Sequence, residues 1–142
     1  MSKLQSILDG SRQPGVYRFA SRASAKHVRS LLEADGWRVF HLDGHDITDK
    51  PSFLDACATV MEFPAYFGKN WDAFEECLTD LSWAEADGYV ILFDHADAFE
   101  LGAPHDWQAA MDILGDAVKS WHEAGKPMYV LLRGAKTMLP TL

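Results

Sequence analysis

The chain has 142 residues, 48% of them apolar and 24% charged, enough to form one domain with a hydrophobic core. Its net charge of −8 disfavours direct binding to nucleic acid or to an anionic membrane, because phosphate contacts need a basic surface. An acidic surface instead speeds encounter with a basic partner.

Met1–Leu8 lacks the apolar core of a secretory signal, and no apolar run reaches the length of a membrane span. Both features predict a cytoplasmic location. Residues 1–13 read as a loose tail or a short helix. Pro14 and Gly15 introduce a short strand, Val16–Ala20, and a helix follows from about Ser24 to Ala34 with Val28, Leu31 and Leu32 expected to face inward. Arg22, Lys26, His27 and Arg29 form the one basic cluster, read as a solvated helix face. Asp35-Gly36 stops that helix, glycine being the usual residue for a left-handed end.

Trp37–Leu42 is the second strand, turned by Asp43-Gly44. A helix from about Lys50 to Glu62 carries Pro51 in its first turn and buries Phe53, Leu54, Cys57, Val60 and Met61. The next helix, after an aromatic turn at Pro64–Gly68, starts at Asn70, whose side chain suits an N-cap. Its apolar residues, Trp71, Phe74, Leu78 and Leu81, make one stripe. Opposite the stripe stand Asp72, Glu75, Glu76, Thr79 and Asp80 at steps of three and four, a column of carboxylates with no lysine or arginine within the helix. Such like-charge pairs cost about 0.2–0.5 kcal/mol each in an exposed helix. The positive helix N-terminus offsets part of this for Asp72 and Glu75. By charge alone the column reads as a solvated helix face sooner than as a binding one.

Tyr89–Phe93 is an unbroken apolar run, the pattern of a strand buried on both faces. The longest helical signal covers Pro104–Ala124, with Trp107, Ala110, Met111, Leu114, Val118 and Trp121 on one side; Gly125 and Pro127 end it. Met128–Leu132 is the last strand, before a short tail. Strands separated by helices in the order β-α-β-α-α-β-α-β imply an α/β fold with a small, mainly parallel sheet packed with helices. Trp37, Trp71, Trp107 and Trp121 belong to the core; Trp83 is open between core and partner. Of Tyr66 and Phe67, one is expected to be buried and the other exposed. Cys57 and Cys77 are expected to be buried, reduced thiols.

The run Phe63-Pro64-x-Tyr66-Phe67-Gly68-x-Asn70-Trp71-Asp72-Ala73-Phe74-x-Glu76-Cys77-Leu78-Thr79-Asp80-Leu81 resembles the signature of the barstar family, inhibitors of secreted microbial ribonucleases. The resemblance extends over about residues 37–133, leaving residues 1–36 as an added strand–helix unit on a single domain spanning 1–142. It implies a stoichiometric inhibitor with no catalytic residue and no cofactor, which plugs the active site of a basic, extracellular-type or toxin ribonuclease in a 1:1 complex. Carried over by position, Tyr66 packs against the nuclease groove, Asn70 and Asp72 make contacts at the helix start, Glu76 enters the phosphate pocket, and Thr79 adds a contact one turn on. Glu75 is expected to join this partner-binding set.

Two positions depart from the pattern. Glu76 stands where the family's best-known member has aspartate, and Glu75 where it has tryptophan. A further acidic contact maps near Ser120, where no carboxylate stands. These changes leave open a different nuclease target, or an acidic interaction module for a non-nuclease partner. A third reading is enzymatic. Asp43, His45 and Asp46 follow one strand, and Asp94, His95 and Asp97 another. Parallel strands would bring both clusters to carboxyl ends, where Asp43, His45, Asp94 and His95 could serve a metal-dependent hydrolase. No nucleophile motif, phosphate-cradling loop or HExxH helix accompanies them.

Overall fold

The computed structural model describes residues 2–142. Four strands, β1 (Val16–Arg18), β2 (Arg38–Asp43), β3 (Tyr89–Asp94) and β4 (Met128–Leu132), form one wholly parallel sheet in the order β1-β4-β3-β2. Among the described residues six helices pack on it: α1 (Lys3–Leu8), α2 (Ala25–Glu33), α3 (Lys50–Val60), α4 (Trp71–Asp80), α5 (Asp97–Gly102) and α6 (Pro104–Glu123). Single 3₁₀ turns lie at Gly44–Asp46 and Ser82–Ala84.

Strand alternation divides the core in two, because successive side chains point to opposite faces. On one face Phe40, Leu42, Tyr89, Ile91, Phe93, Met128, Val130 and Leu132 pack against α3, α4, α5 and α6, with Phe53, Phe74, Phe99 and Leu114 at the centre. On the other, Trp37, Val39, Val90, Leu92, Tyr129 and Leu131 pack against Leu4 and Ile7 of α1 and Val28 and Leu32 of α2. Tyr89–Phe93 is thus buried on both sides, as its apolar run predicts.

Residues before Trp37 do more than add an edge strand. β1 pairs with β4, Val16 opposite Val130, and α1 and α2 close the second face. The C-terminal tail joins them. The Arg18 N–H donates to the Pro140 carbonyl at 2.9 Å, and the Leu142 N–H to the Arg18 carbonyl at 2.8 Å, so Leu142 is buried against the same layer.

Local chemistry accounts for the helix boundaries. Ser24 caps α2 by accepting from the His27 N–H, and Gly36, with φ +86°, turns the chain into β2. Asp49 and Ser52 form a reciprocal capping box at the start of α3. Three points differ from the sequence expectation. Leu31 is exposed, because Val28 and Leu32, four apart, already take the inward line of α2. Helix α5 was not foreseen: it has six residues, no side-chain cap and one buried residue, Phe99, too short a stretch for a periodic signal. In α3, Val60 is only partly buried.

Candidate functional site

Helix α4 begins where Asn70 accepts from the Ala73 N–H at 2.8 Å and ends at Leu81, which adopts a left-handed conformation with φ +46°. Phe74, Cys77, Leu78 and Leu81 are buried, and Trp71 is half-buried between the ring of Phe53 and the Lys50 ammonium. Two indole donors tie the C-terminal part of α4 and the turn after it to their neighbours. Trp83 Nε1 donates to the Met61 carbonyl at 2.8 Å, and Trp121 Nε1 to the Leu78 carbonyl at 3.0 Å. Trp83 is therefore tied to the fold, with its ring against Phe63.

The opposite side of α4 is left without cations. Asp72, Glu75, Glu76 and Asp80 are exposed, and among the described residues none takes part in an ion pair. The nearest lysine in sequence, Lys69, pairs instead with Asp55 of α3 at 3.1 Å. The field of this face reaches inward: burial raises the Cys77 thiol pKa, and Asp80 and Glu76 add to the rise. Thr79 is half-buried and its hydroxyl donates to the Glu75 carbonyl at 2.8 Å, so its oxygen keeps its capacity to accept.

The loop before α4 has a defined shape. Glu62 (φ +56°) and Lys69 (φ +52°) are left-handed at its two ends, and the Phe67 N–H donates to the Pro64 carbonyl at 2.9 Å. Phe67 turns in, its ring 5.0 Å from that of Phe63. Tyr66 turns out and is 78% exposed. The two neighbours divide in the expected sense, with Tyr66 presented to solvent, but Phe67 is only partly buried as it anchors the turn. Tyr66, Asn70, Asp72, Glu75, Glu76 and Thr79 thus all lie on the loop and first two to three turns of one helix, and Ser120 on α6 is exposed without a carboxylate.

The aspartate–histidine clusters do meet at the carboxyl ends of β2 and β3, where Asp43 stands opposite Asp94. The four-residue set Asp43, His45, Asp94 and His95 does not assemble, however. Asp94 continues the alternation of Val90 and Leu92 and so lies on the sheet face covered by residues 1–36. There it receives both edges of the Arg133 guanidinium, Nη2 at 3.0 Å and Nε at closer range, and His41 Nε2 lies 2.8 Å away. Arg133 in turn donates to the carbonyls of Ser21 and Ala23 at 3.0 and 2.7 Å. Burial works against ionisation of Asp94, but the bonds to Arg133 and His41 outweigh it and hold its pKa below the ordinary carboxylate range. These bonds tie it into the fold, and sequence reading missed Arg133 and His41 as its partners. Asp43, His45 and His95 remain together on the surface; Asp46 and Asp97 stand outside that group. Cys57 and Cys77 are free and buried, and burial pushes the Cys57 thiol far up.

The architecture is that of a mixed α/β protein built on a small parallel sheet, with an acidic helix on its surface. The family model described as Barstar (barnase inhibitor) matches residues 37–133, and the chain belongs to this family. Membership supports a ribonuclease-inhibitor-like role in general. No curated protein sequence matches the chain. Among the described residues, no helix is long and apolar enough to cross a membrane.

Proposed function

We propose that this protein is a stoichiometric inhibitor of a basic ribonuclease of the secreted or toxin type, acting in the cytoplasm through the outer face of α4 and the loop before it. The observation that carries this reading is the unpaired carboxylate column of Asp72, Glu75 and Glu76, kept next to an exposed Tyr66. A ribonuclease active site is basic because it holds RNA phosphates. Carboxylates one helical turn apart lie about 6 Å from each other, of the order of phosphate spacing in a flexible strand. Arginine and lysine in such a pocket would donate charge-assisted hydrogen bonds to them. Asn70 fixes the helix start that aims Asp72, Glu76 reaches the phosphate pocket, Thr79 offers an acceptor one turn on, and Tyr66 packs on the groove wall. Glu76 carries one more methylene than aspartate would, and Glu75 adds charge, so the pocket it fits is deeper or more cationic than that of the family's best-known target.

The test is titration of a panel of basic microbial ribonucleases with the protein, following residual activity at low and moderate salt. Inhibition is expected to reach its end point at one inhibitor per enzyme and to weaken with salt, as screening slows association. Absence of inhibition and of complex formation with every member would count against the reading. Metal-dependent hydrolysis by the protein alone, lost in His95→Ala, would support an enzyme instead.

A further inference from the structure

We propose that Asp43, His45 and His95 form a binding site for a divalent transition-metal ion, with zinc as the best fit, at the carboxyl ends of β2 and β3. Each residue has a ligand atom, and all three atoms lie within 4.8 Å of one another. His45 Nδ1 is 2.8 Å from Asp43 Oδ1, and the imidazoles of His45 and His95 have ring centres 3.8 Å apart. Donors around a tetrahedral zinc, bound at about 2.0–2.2 Å, sit roughly 3.4 Å from each other. Small rotations of exposed side chains close the remaining gap.

The convergence depends on backbone that brings two separate loops into direct contact. A Cβ at Gly44 would lie 2.3 Å from the His95 carbonyl oxygen, so only glycine lets the 3₁₀ turn press against the end of β3. His95 itself is left-handed, with φ +53°, a conformation that non-glycine residues adopt only at a cost. Removal of Asp94 into the Arg133 and His41 network leaves the set as two imidazoles and one carboxylate. That donor set suits zinc and its first-row neighbours, while calcium and magnesium prefer all-oxygen shells. Three protein donors leave a fourth tetrahedral position open to water or to a side chain from a partner. The site uses none of the residues of α4, so it stands independently of the inhibitory reading.

The experiment is calorimetric titration of the full chain, freed of any purification tag, with zinc chloride, and in parallel with magnesium chloride. One zinc per chain is expected, with no response to magnesium. His45→Ala and His95→Ala should each weaken zinc binding by at least about tenfold, the effect of losing a ligand or its immediate support. His122→Ala, on the far end of α6, should leave it unchanged. Cobalt chloride should give a visible absorption band that the same two variants abolish. These side chains are exposed, so circular dichroism of the variants is expected to match the parent. No saturable zinc binding at millimolar zinc, or unchanged binding in the double variant His45→Ala/His95→Ala, would overturn the assignment.

Discussion

Asp94 and Glu76 carry the same charge into opposite situations. Asp94 sits at the end of a central strand, shielded from solvent, with a forked guanidinium and an imidazole around it. Glu76 stands on the outside of a helix among other carboxylates, with no cation among the described residues to pair with. One carboxylate finds its counter-charge within the chain and holds the fold; the other lacks it, and a partner can supply it. Both kinds of site stand out in a structure by their charge, and only the pairing separates them.

The largest expected effect comes from removing the layer that shelters Asp94. Deletion of residues 1–36 would uncover Trp37, Val39, Val90, Leu92, Tyr129 and Leu131 and take two carbonyl acceptors from Arg133. At about 1.5–3 kcal/mol for each large side chain, the loss is comparable with the whole stability of a domain, about 5–15 kcal/mol. The truncated chain should fail to fold cooperatively in thermal or urea melts. A native-like melt would show that residues 37–142 are self-sufficient and that the N-terminal unit is an accessory.

Next in size is Asp94→Asn, which leaves Arg133 without its charge partner. Breaking a shielded pair from one side costs about 3 kcal/mol, read as a lower urea midpoint, while ribonuclease inhibition by the folded fraction is unchanged. The same variant sharpens the pH dependence. The folded pKa of Asp94 lies below the unfolded value of about 3.9, so its contribution is in place above that pH and is lost as pH falls through the folded pKa. The parent should therefore lose stability on acidification below about pH 4 more steeply than Asp94→Asn. Parallel acid limbs would remove Asp94 from the account.

The smallest effect on stability belongs to Glu76→Ala. Glu76 meets Asp72 and Asp80 at four-residue steps, and each repulsion costs about 0.2–0.5 kcal/mol, so the variant should melt at or slightly above the parent. A loss of stability greater than about 1 kcal/mol would mean that Glu76 holds the fold, as Asp94 does, and would end the contrast between them.

Much of this fold is readable from residue patterns. The apolar run of β3, the stripe of α4 with its Asn70 cap, and the glycine stop after α2 all express local preferences that packing reinforces. What escapes is what depends on distant partners. Helix α5 has too few residues for periodicity, Leu31 is turned out by competition within its own helix, and Leu142 is buried only because the tail runs along β1. The site divides in the same way. The carboxylate column is visible as spacing, but its lack of partners needs three dimensions. The meeting of His45 and His95 follows from parallel strands, whereas the departure of Asp94 toward Arg133 rests on a residue 39 positions later.

The most direct test is the affinity of Glu76→Ala for a ribonuclease that the parent inhibits, measured beside its melting curve. Truncating one member of a buried interfacial charge pair costs about 2–5 kcal/mol, a range drawn in part from this family's own type complex. Weakening of that size, with a melt at or above the parent's, is the predicted result. Affinity equal to the parent's would contradict the claim that the unpaired face of α4 is the inhibitory surface.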